Sequence, residues 1–94
     1  MAKRGYVYMM VNPGNTVIYT GVTSDLWKRV NQHKEKAIEG FTKKYNVTKL
    51  VWFEECSTVM EAIASEKKIK AGSRAGKLKL IEALNPKYQD LAKQ

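Results

Sequence analysis

The apolar run from Gly5 to Asn12 reads as a strand, whose two-residue period places Tyr6, Tyr8 and Met10 on one face and Val7, Met9 and Val11 on the other. The run is rich in aromatic and β-branched residues, which suit a pleated surface. Asn12-Pro13-Gly14-Asn15 ends it with a strong turn signal. Thr16–Val22 resumes the two-residue period, with Val17, Tyr19 and Gly21 sharing a face, so the two segments predict an antiparallel hairpin. The period then lengthens. Leu26, Val30 and His33 recur at i, i+4 and i+7, predicting a helix from Asp25 to about Lys36, capped by Thr23 or Ser24 and with Asp25 favourable in its first turn. Ala37–Asn46 is polar and basic, Gly40 interrupts it, and it reads as a loop. Val47–Cys56 predicts a third strand. Ser57 or Thr58 starts a second helix, where Thr58 with Glu61 fits a capping box and Val59, Ala62, Ile63 and Ile69 are the apolar positions. Gly72 closes that helix and Ser73 can cap a third, from about Arg74 to Leu84, with Leu78, Ile81 and Leu84 inward and Asn85-Pro86 as its end. The order ββαβαα predicts an α+β fold: a single compact domain over residues 1–94, with a small, mainly antiparallel three-stranded sheet flanked by helices and a flexible tail from about 89 to 94.

Length and charge narrow the function. Ninety-four residues leave room for one core, burying roughly 60–70% of the unfolded surface. The net charge of +8 exceeds what solubility needs and points to a polyanion, nucleic acid before an anionic membrane. The charge is clustered: Lys67, Lys68, Lys70, Arg74, Lys77 and Lys79 form a run without an acid, and it starts beside Glu66. The single cysteine, Cys56, excludes an internal disulfide and a cysteine-based zinc site, fits a reducing cytoplasm, and reads as a small buried residue at a strand end. No segment approaches the ~18 apolar residues of a membrane span. No helix pairs a basic face with a bulky apolar one, so a membrane-surface role is disfavoured. Lys3-Arg4 before Tyr6–Val11 is a poor signal peptide, because the apolar run is short, holds two tyrosines and lacks a small-residue cleavage site.

One constellation carries chemistry. Tyr8 and Tyr19 lie on the two hairpin strands, Arg29 and His33 lie one turn apart on the first helix, and Glu66 continues the apolar stripe of the second helix. Each has a plain structural alternative. Strand tyrosines pack, a helix arginine is a surface base, a helix-face histidine finds a hydrogen bond, and Glu66 can pair with Lys70 at i+4. A carboxylate on an apolar stripe is costly unless it is paired or holds a metal. Together the five suit phosphodiester hydrolysis, which requires a deprotonated water, an offset for phosphoryl charge and a stabilised leaving oxygen. A tyrosine can be the base only if positive charge lowers its pKa from ~10. A lone carboxylate suits Mg²⁺ or Mn²⁺, because Mg²⁺ keeps several waters and takes few protein ligands.

Tyr6-Val7-Tyr8, Tyr19-Thr20-Gly21, Arg29, His33 and Glu66 resemble, in order and spacing, the GIY-YIG nuclease family. The resemblance spans nearly the whole chain, to about Leu91. It is closest to small stand-alone bacterial members similar to the N-terminal domain of the excinuclease C subunit, through Tyr19–His33, Gly40–Tyr45, Glu66–Lys70 and Asn85–Leu91. Two positions depart from the family's name motifs, Tyr6 in place of glycine and Thr20 in place of isoleucine, and Tyr6 adds a second candidate phenol for the base.

The resemblance implies a metal-dependent DNA endonuclease working by one-metal, in-line hydrolysis. In it Tyr8 takes a proton from water, Arg29 and Tyr19 stabilise the phosphoryl oxygens, His33 positions or relays a proton, and Glu66 holds one Mg²⁺ or Mn²⁺ near the leaving 3′ oxygen. Lys28, Lys34, Lys43, Lys44, Lys67, Lys70 and Arg74 are the expected phosphate contacts, giving binding with little sequence specificity. Tyr45 and Trp27 are candidates to stack on exposed bases, which favours single-stranded or structured DNA, although core packing fits Trp27 equally well. The alternative is a non-catalytic nucleic-acid-binding module acting with a repair or recombination partner.

Overall fold

The strand Gly5–Val11 (β1) is buried at every position but Tyr6, and its alternation explains why. Val7, Met9 and Val11 point into one apolar cluster with Ala62 and Ile81, while Tyr8 and Met10 point into another with Leu26, Val30, Val47 and Leu50. A strand apolar on both faces belongs at the centre of a sheet covered on both sides. The computed structural model describes residues 4–36 and 40–92. It places β1 between Ile18–Thr23 (β2) and Lys49–Cys56 (β3), in the order β2-β1-β3, with both pairings antiparallel. Helix Leu26–Lys34 (α1) covers the Tyr8 face through Leu26, Val30 and His33. Helices Val59–Ala71 (α3) and Arg74–Leu84 (α4) cover the other face. One turn, Phe41–Lys44 (α2), lies in the segment expected to be a loop; residues 37–39 of that loop lie outside the described residues. With α2 set aside the order is ββαβαα, as the pattern implied.

Local chemistry places the helix ends. Asp25, not Thr23 or Ser24, caps α1: its side chain accepts from Lys28 N, while Thr23 Oγ1 accepts from Asp25 N and donates to the Asp25 carbonyl. At nine residues α1 is too short to hold itself together. Its buried side chains supply the difference, at roughly 1.5–3 kcal/mol for each large aliphatic one. Thr58 accepts from Glu61 N at the start of α3, and the Glu61 carboxylate accepts from Ser57 N, one residue before the position a regular capping box uses. Ser73 caps α4 through Gly76 N. Two expected inward residues are on the surface, Ile63 at 36% and Leu84 at 54% exposure, because Ala62 and Ile81 are the residues that meet the sheet. Cys56 is a free, half-buried thiol.

The C-terminal segment is part of the fold. Residues 50–53 of β3 are uninterruptedly apolar, and strict alternation would split them between the two clusters. A bulge opposite Met9–Met10 breaks the phase, so Val51 and Trp52 both join the α3/α4 cluster while Leu50 and Phe53 face α1. Buried Asn85 donates Nδ2 to the Val51 carbonyl at 3.1 Å. The Leu50 amide donates to Asp90 Oδ1, the Leu91 amide donates to the Leu50 carbonyl, and Asp90 is ion-paired with Lys34. The tail expected from about residue 89 is therefore tied to β3 through Asp90 and Leu91, and residues 93–94 lie outside the described residues. Among the described residues no helix is long and apolar enough to cross a membrane.

Gly5 is where β1 touches α3. A Cβ there would lie 2.7 Å from Val59 Cα and 2.8 Å from both Ala62 Cβ and the Thr58 carbonyl. Backbone cannot yield as a side-chain tip can, so Gly5→Ala must push α3 off the sheet. The expected loss is about 1–3 kcal/mol, seen as a melting temperature lower by roughly 4–8 °C per kcal/mol. An unchanged melting curve would contradict the close approach.

Candidate active site

Tyr8 and Tyr19 project from neighbouring strands onto the α1 side of the sheet, where Gly21 makes room for both. Tyr8 pairs with Gly21 across the strands, and its ring leans over that residue. A Cβ on Gly21 would lie 2.6 Å from Tyr8 Oη and 2.9 Å from Tyr19 Cε2. The two ring centroids are 6.1 Å apart. His33 closes the group from α1, its ring 5.7 Å from Tyr8 and 5.3 Å from Tyr19. Tyr8 Oη and His33 Nε2 are 3.0 Å apart in a buried hydrogen bond. His33 is 3% exposed, and among the described residues its Nδ1 has no partner.

That orphaned nitrogen bears on the tautomer. A buried, unpaired N–H is rarer and more costly than an unpaired acceptor lone pair. The favoured form carries the proton on Nε2, donates it to Tyr8 Oη, and leaves Nδ1 as a bare acceptor. The Tyr8 hydroxyl hydrogen is then free to point away from His33. Burial raises the Tyr8 phenol well above its ordinary pKa; the Tyr19 phenol adds to this and Arg29 opposes it. Burial, then the Arg29 charge, pushes His33 down to about 4. At neutral pH the pair is a phenol and an uncharged imidazole.

Arg29 is half-buried one turn before His33, and among the described residues no ion pair engages its guanidinium. Glu66 comes from α3, with its side chain 20% exposed and Oε2 3.2 Å from Lys70 Nζ. Its charge reaches the Tyr8 phenol and opposes ionisation there. The two helix layers can meet around β2 because β2 is an edge strand. Tyr19 and Thr20 line a cleft of about 210 Å³ with Lys70 and Lys77.

The structure sorts the other candidate residues. Tyr6 donates to Glu55 Oε2 at 3.3 Å, so Tyr8 is the phenol brought to His33. Lys34 is ion-paired with Asp90, Lys70 with Glu66, and Arg74 Nη2 donates to the Thr16 carbonyl at 2.9 Å, which gives these three expected phosphate contacts roles inside the fold. Lys28, Lys43, Lys44 and Lys67 are exposed. Tyr45 is 42% exposed, with Lys44 Nζ 5.4 Å from its ring centre. Trp27 is half exposed and packs edge-on against Phe53. Lys77, which joins Tyr19 and Lys70 in the cleft, was visible in the sequence only as one base in the run from Lys67 to Lys79.

The donor set bears on a cation. Among the described residues no three His, Cys, Asp or Glu side chains gather as a metal cage. Glu66 is a single carboxylate, one oxygen of which is paired with Lys70. That suits a largely hydrated divalent ion and does not suit zinc.

Residues 4–79 match the family model of the GIY-YIG catalytic domain. The chain is 38% identical to a UPF0213 protein of Staphylococcus haemolyticus over 82 residues, covering 87% of this chain and 98% of that protein. It is 33% identical to a UPF0213 protein of Clostridium perfringens over 89 residues, covering 95% of each. The solution NMR structure of a UPF0213 protein from Bacillus halodurans superposes with a TM-score of 0.59 at 24% identity, over 97% of this chain and 99% of that one, and so shares the fold.

Two outcomes test this geometry. In Gly21→Ala the new methyl meets the tip of the Tyr8 side chain, which can move. The variant should fold with a melting temperature within a few degrees of the parent while losing the Tyr8–His33 hydrogen bond, read from the His33 ring resonances; an intact bond would refute the packing. The second outcome concerns pH. The unfolded chain takes up the His33 proton near pH 6.5 and the folded chain near pH 4. Between those values the unfolded state binds more protons, so the His33 contribution is lost as pH falls, at up to about 1.4 kcal/mol per unit. Urea titrations at pH 4.5, 5.5 and 7 should show a steeper decline for the parent than for His33→Gln; parallel declines would contradict a buried neutral imidazole.

Proposed function

The chain belongs to the GIY-YIG family, and on that premise we propose that it is a metal-dependent endonuclease that hydrolyses phosphodiester bonds in DNA. The observation that carries the reading is the buried Tyr8–His33 hydrogen bond, with Tyr19 packed beside it, the charge of Arg29 one turn away and the Glu66 carboxylate within electrostatic reach.

The residues divide the work as their environments allow. Tyr8 takes a proton from water as the water oxygen attacks phosphorus, and it must first lose its own. Burial resists that loss. Arg29 favours the phenolate by charge, and His33 Nε2–H favours it by a hydrogen bond that strengthens as charge develops on Oη. Arg29 then faces the phosphoryl oxygens, with Tyr19 as the second donor. Glu66 is the carboxylate that would hold a divalent ion, Mg²⁺ or Mn²⁺, which would supply positive charge for the leaving oxygen. Exposed Lys28, Lys43, Lys44 and Lys67 hold the backbone without reading sequence.

A second reading, a nucleic-acid-binding module without turnover, draws on the ion pair that already occupies half of the Glu66 carboxylate. Cleavage of end-labelled single-stranded and duplex DNA with Mg²⁺, Mn²⁺ or chelator separates the two. The nuclease requires metal-dependent cutting, abolished in Glu66→Gln, reduced about 10²–10⁴-fold in Tyr8→Phe and about 10²–10³-fold in Arg29→Ala. Full activity in chelator, or unchanged cutting by Tyr8→Phe, would sink it. Salt-sensitive binding by parent and Glu66→Gln alike, with no cutting, would establish the module.

The active form is the phenolate and the folded phenol is held above its ordinary pKa, so only a small fraction is ionised at neutrality. The rate should rise close to tenfold per pH unit between pH 6 and 9, and the residual rate of Tyr8→Phe should not. A parent profile flat across that range would exclude Tyr8 as the base.

A further inference from the structure

Helices α3 and α4 diverge from Gly72 and leave a groove of about 380 Å³ on the face of the sheet opposite Tyr8. Trp52, Ile69 and Leu80 are its apolar lining; Lys68 enters from α3, Lys77 from α4 and Glu54 from β3. Lys77 also lines the cleft that holds Tyr19, Thr20 and Lys70, so one side chain borders both the groove and the cleft beside Tyr19.

Volume and charge select the occupant. The groove is at the small end of ligand pockets, enough for one flat ring with its sugar and too small for a helix or a duplex end. The basic run from Lys67 to Lys79 attracts a polyanion. An acidic peptide meets a conflict, because Glu54 lies inside the groove and repels a carboxylate. A nucleotide brings a donor that can answer Glu54: its base lies on Ile69 and Leu80 against the edge of the buried Trp52, its phosphates meet Lys68 and Lys77 away from Glu54, and Glu54 accepts from an exocyclic amine. Bases in a duplex are stacked and paired, and cannot enter.

We infer that the groove between α3 and α4 takes one unstacked nucleotide of a single strand, whose adjoining phosphates pass over Lys77 and Lys70 to the Tyr8–Tyr19 site. The inference rests on the nucleic-acid reading of that site. A strand seated in this way is gripped on both faces of the sheet around β2, and single strands are favoured over duplex. A base carrying an amino group, such as cytosine, is favoured over thymine.

The test is binding in chelator, read on the protein itself. Trp27 is half exposed, so Trp27→Phe should leave the fold intact and Trp52 as the only tryptophan. Twelve-nucleotide oligodeoxycytidylate should quench Trp52 fluorescence, more strongly and at lower concentration than oligothymidylate. Gly76→Leu fills the groove from α4 with a better helix former and no change in charge. It should weaken single-strand binding roughly tenfold and leave a 20-base-pair blunt duplex within twofold. Glu54→Gln should shrink the preference for cytosine. Tight binding without Trp52 quenching, or equal effects of Gly76→Leu on single strand and duplex, would overturn the groove. Quenching that follows this pattern in a protein that never cuts DNA would uphold the groove and remove the nuclease; normal cutting of single strands by Gly76→Leu would do the reverse.

Discussion

The site depends on one buried contact, the hydrogen bond between Tyr8 on the central strand and His33 on α1. It fixes the phenol relative to the helix that also carries Arg29. It also joins two groups that burial keeps uncharged, the phenol raised and the imidazole lowered. Two neutral partners can be buried without the desolvation penalty an ion would carry. The pair is therefore compatible with a stable core, and in the proposed mechanism it is where charge is generated. Ionisation of Tyr8 needs positive charge from outside the pair. Arg29 supplies part of it, and a cation on Glu66 would supply the rest.

Two glycines make this arrangement possible in different ways. Gly5 lets the start of β1 meet the backbone of α3, which sets the height of that helix above the sheet. Gly21 leaves a space over β2 into which the Tyr8 ring leans. One governs a contact between rigid backbones and so affects the fold. The other governs a side chain that can move and so affects the site. The position of β2 at the sheet edge completes the design, because residues from the helix layers on opposite faces can approach one another only around an edge.

Basic residues divide between holding the fold and facing a polyanion. Lys34, Lys70 and Arg74 have partners inside the protein, at Asp90, Glu66 and the hairpin backbone. Of the remaining bases, Lys77 lines both clefts. A net charge of +8 sets the long-range attraction, and the internal pairings decide which charges are already engaged within the protein.

The sequence by itself determined the three strands, the helices over 26–34, 59–71 and 74–84, and the two faces of β1. Those properties follow from local periodicity, capping and residue type, which act within a few positions. It also indicated Glu66 with Lys70, because i and i+4 are neighbours on any helix. Only the tertiary structure decided that Tyr8 and not Tyr6 meets His33, since the hydroxyl of Tyr6 is claimed by Glu55 across the sheet. Only the structure tied Asn85 and Asp90 to β3, because the Val51 bulge that leaves a carbonyl for Asn85 arises from packing four apolar residues against two cores. Only the structure gave Lys34 and Arg74 internal partners, at sequence separations of 56 and 58, where no short-range pattern reaches.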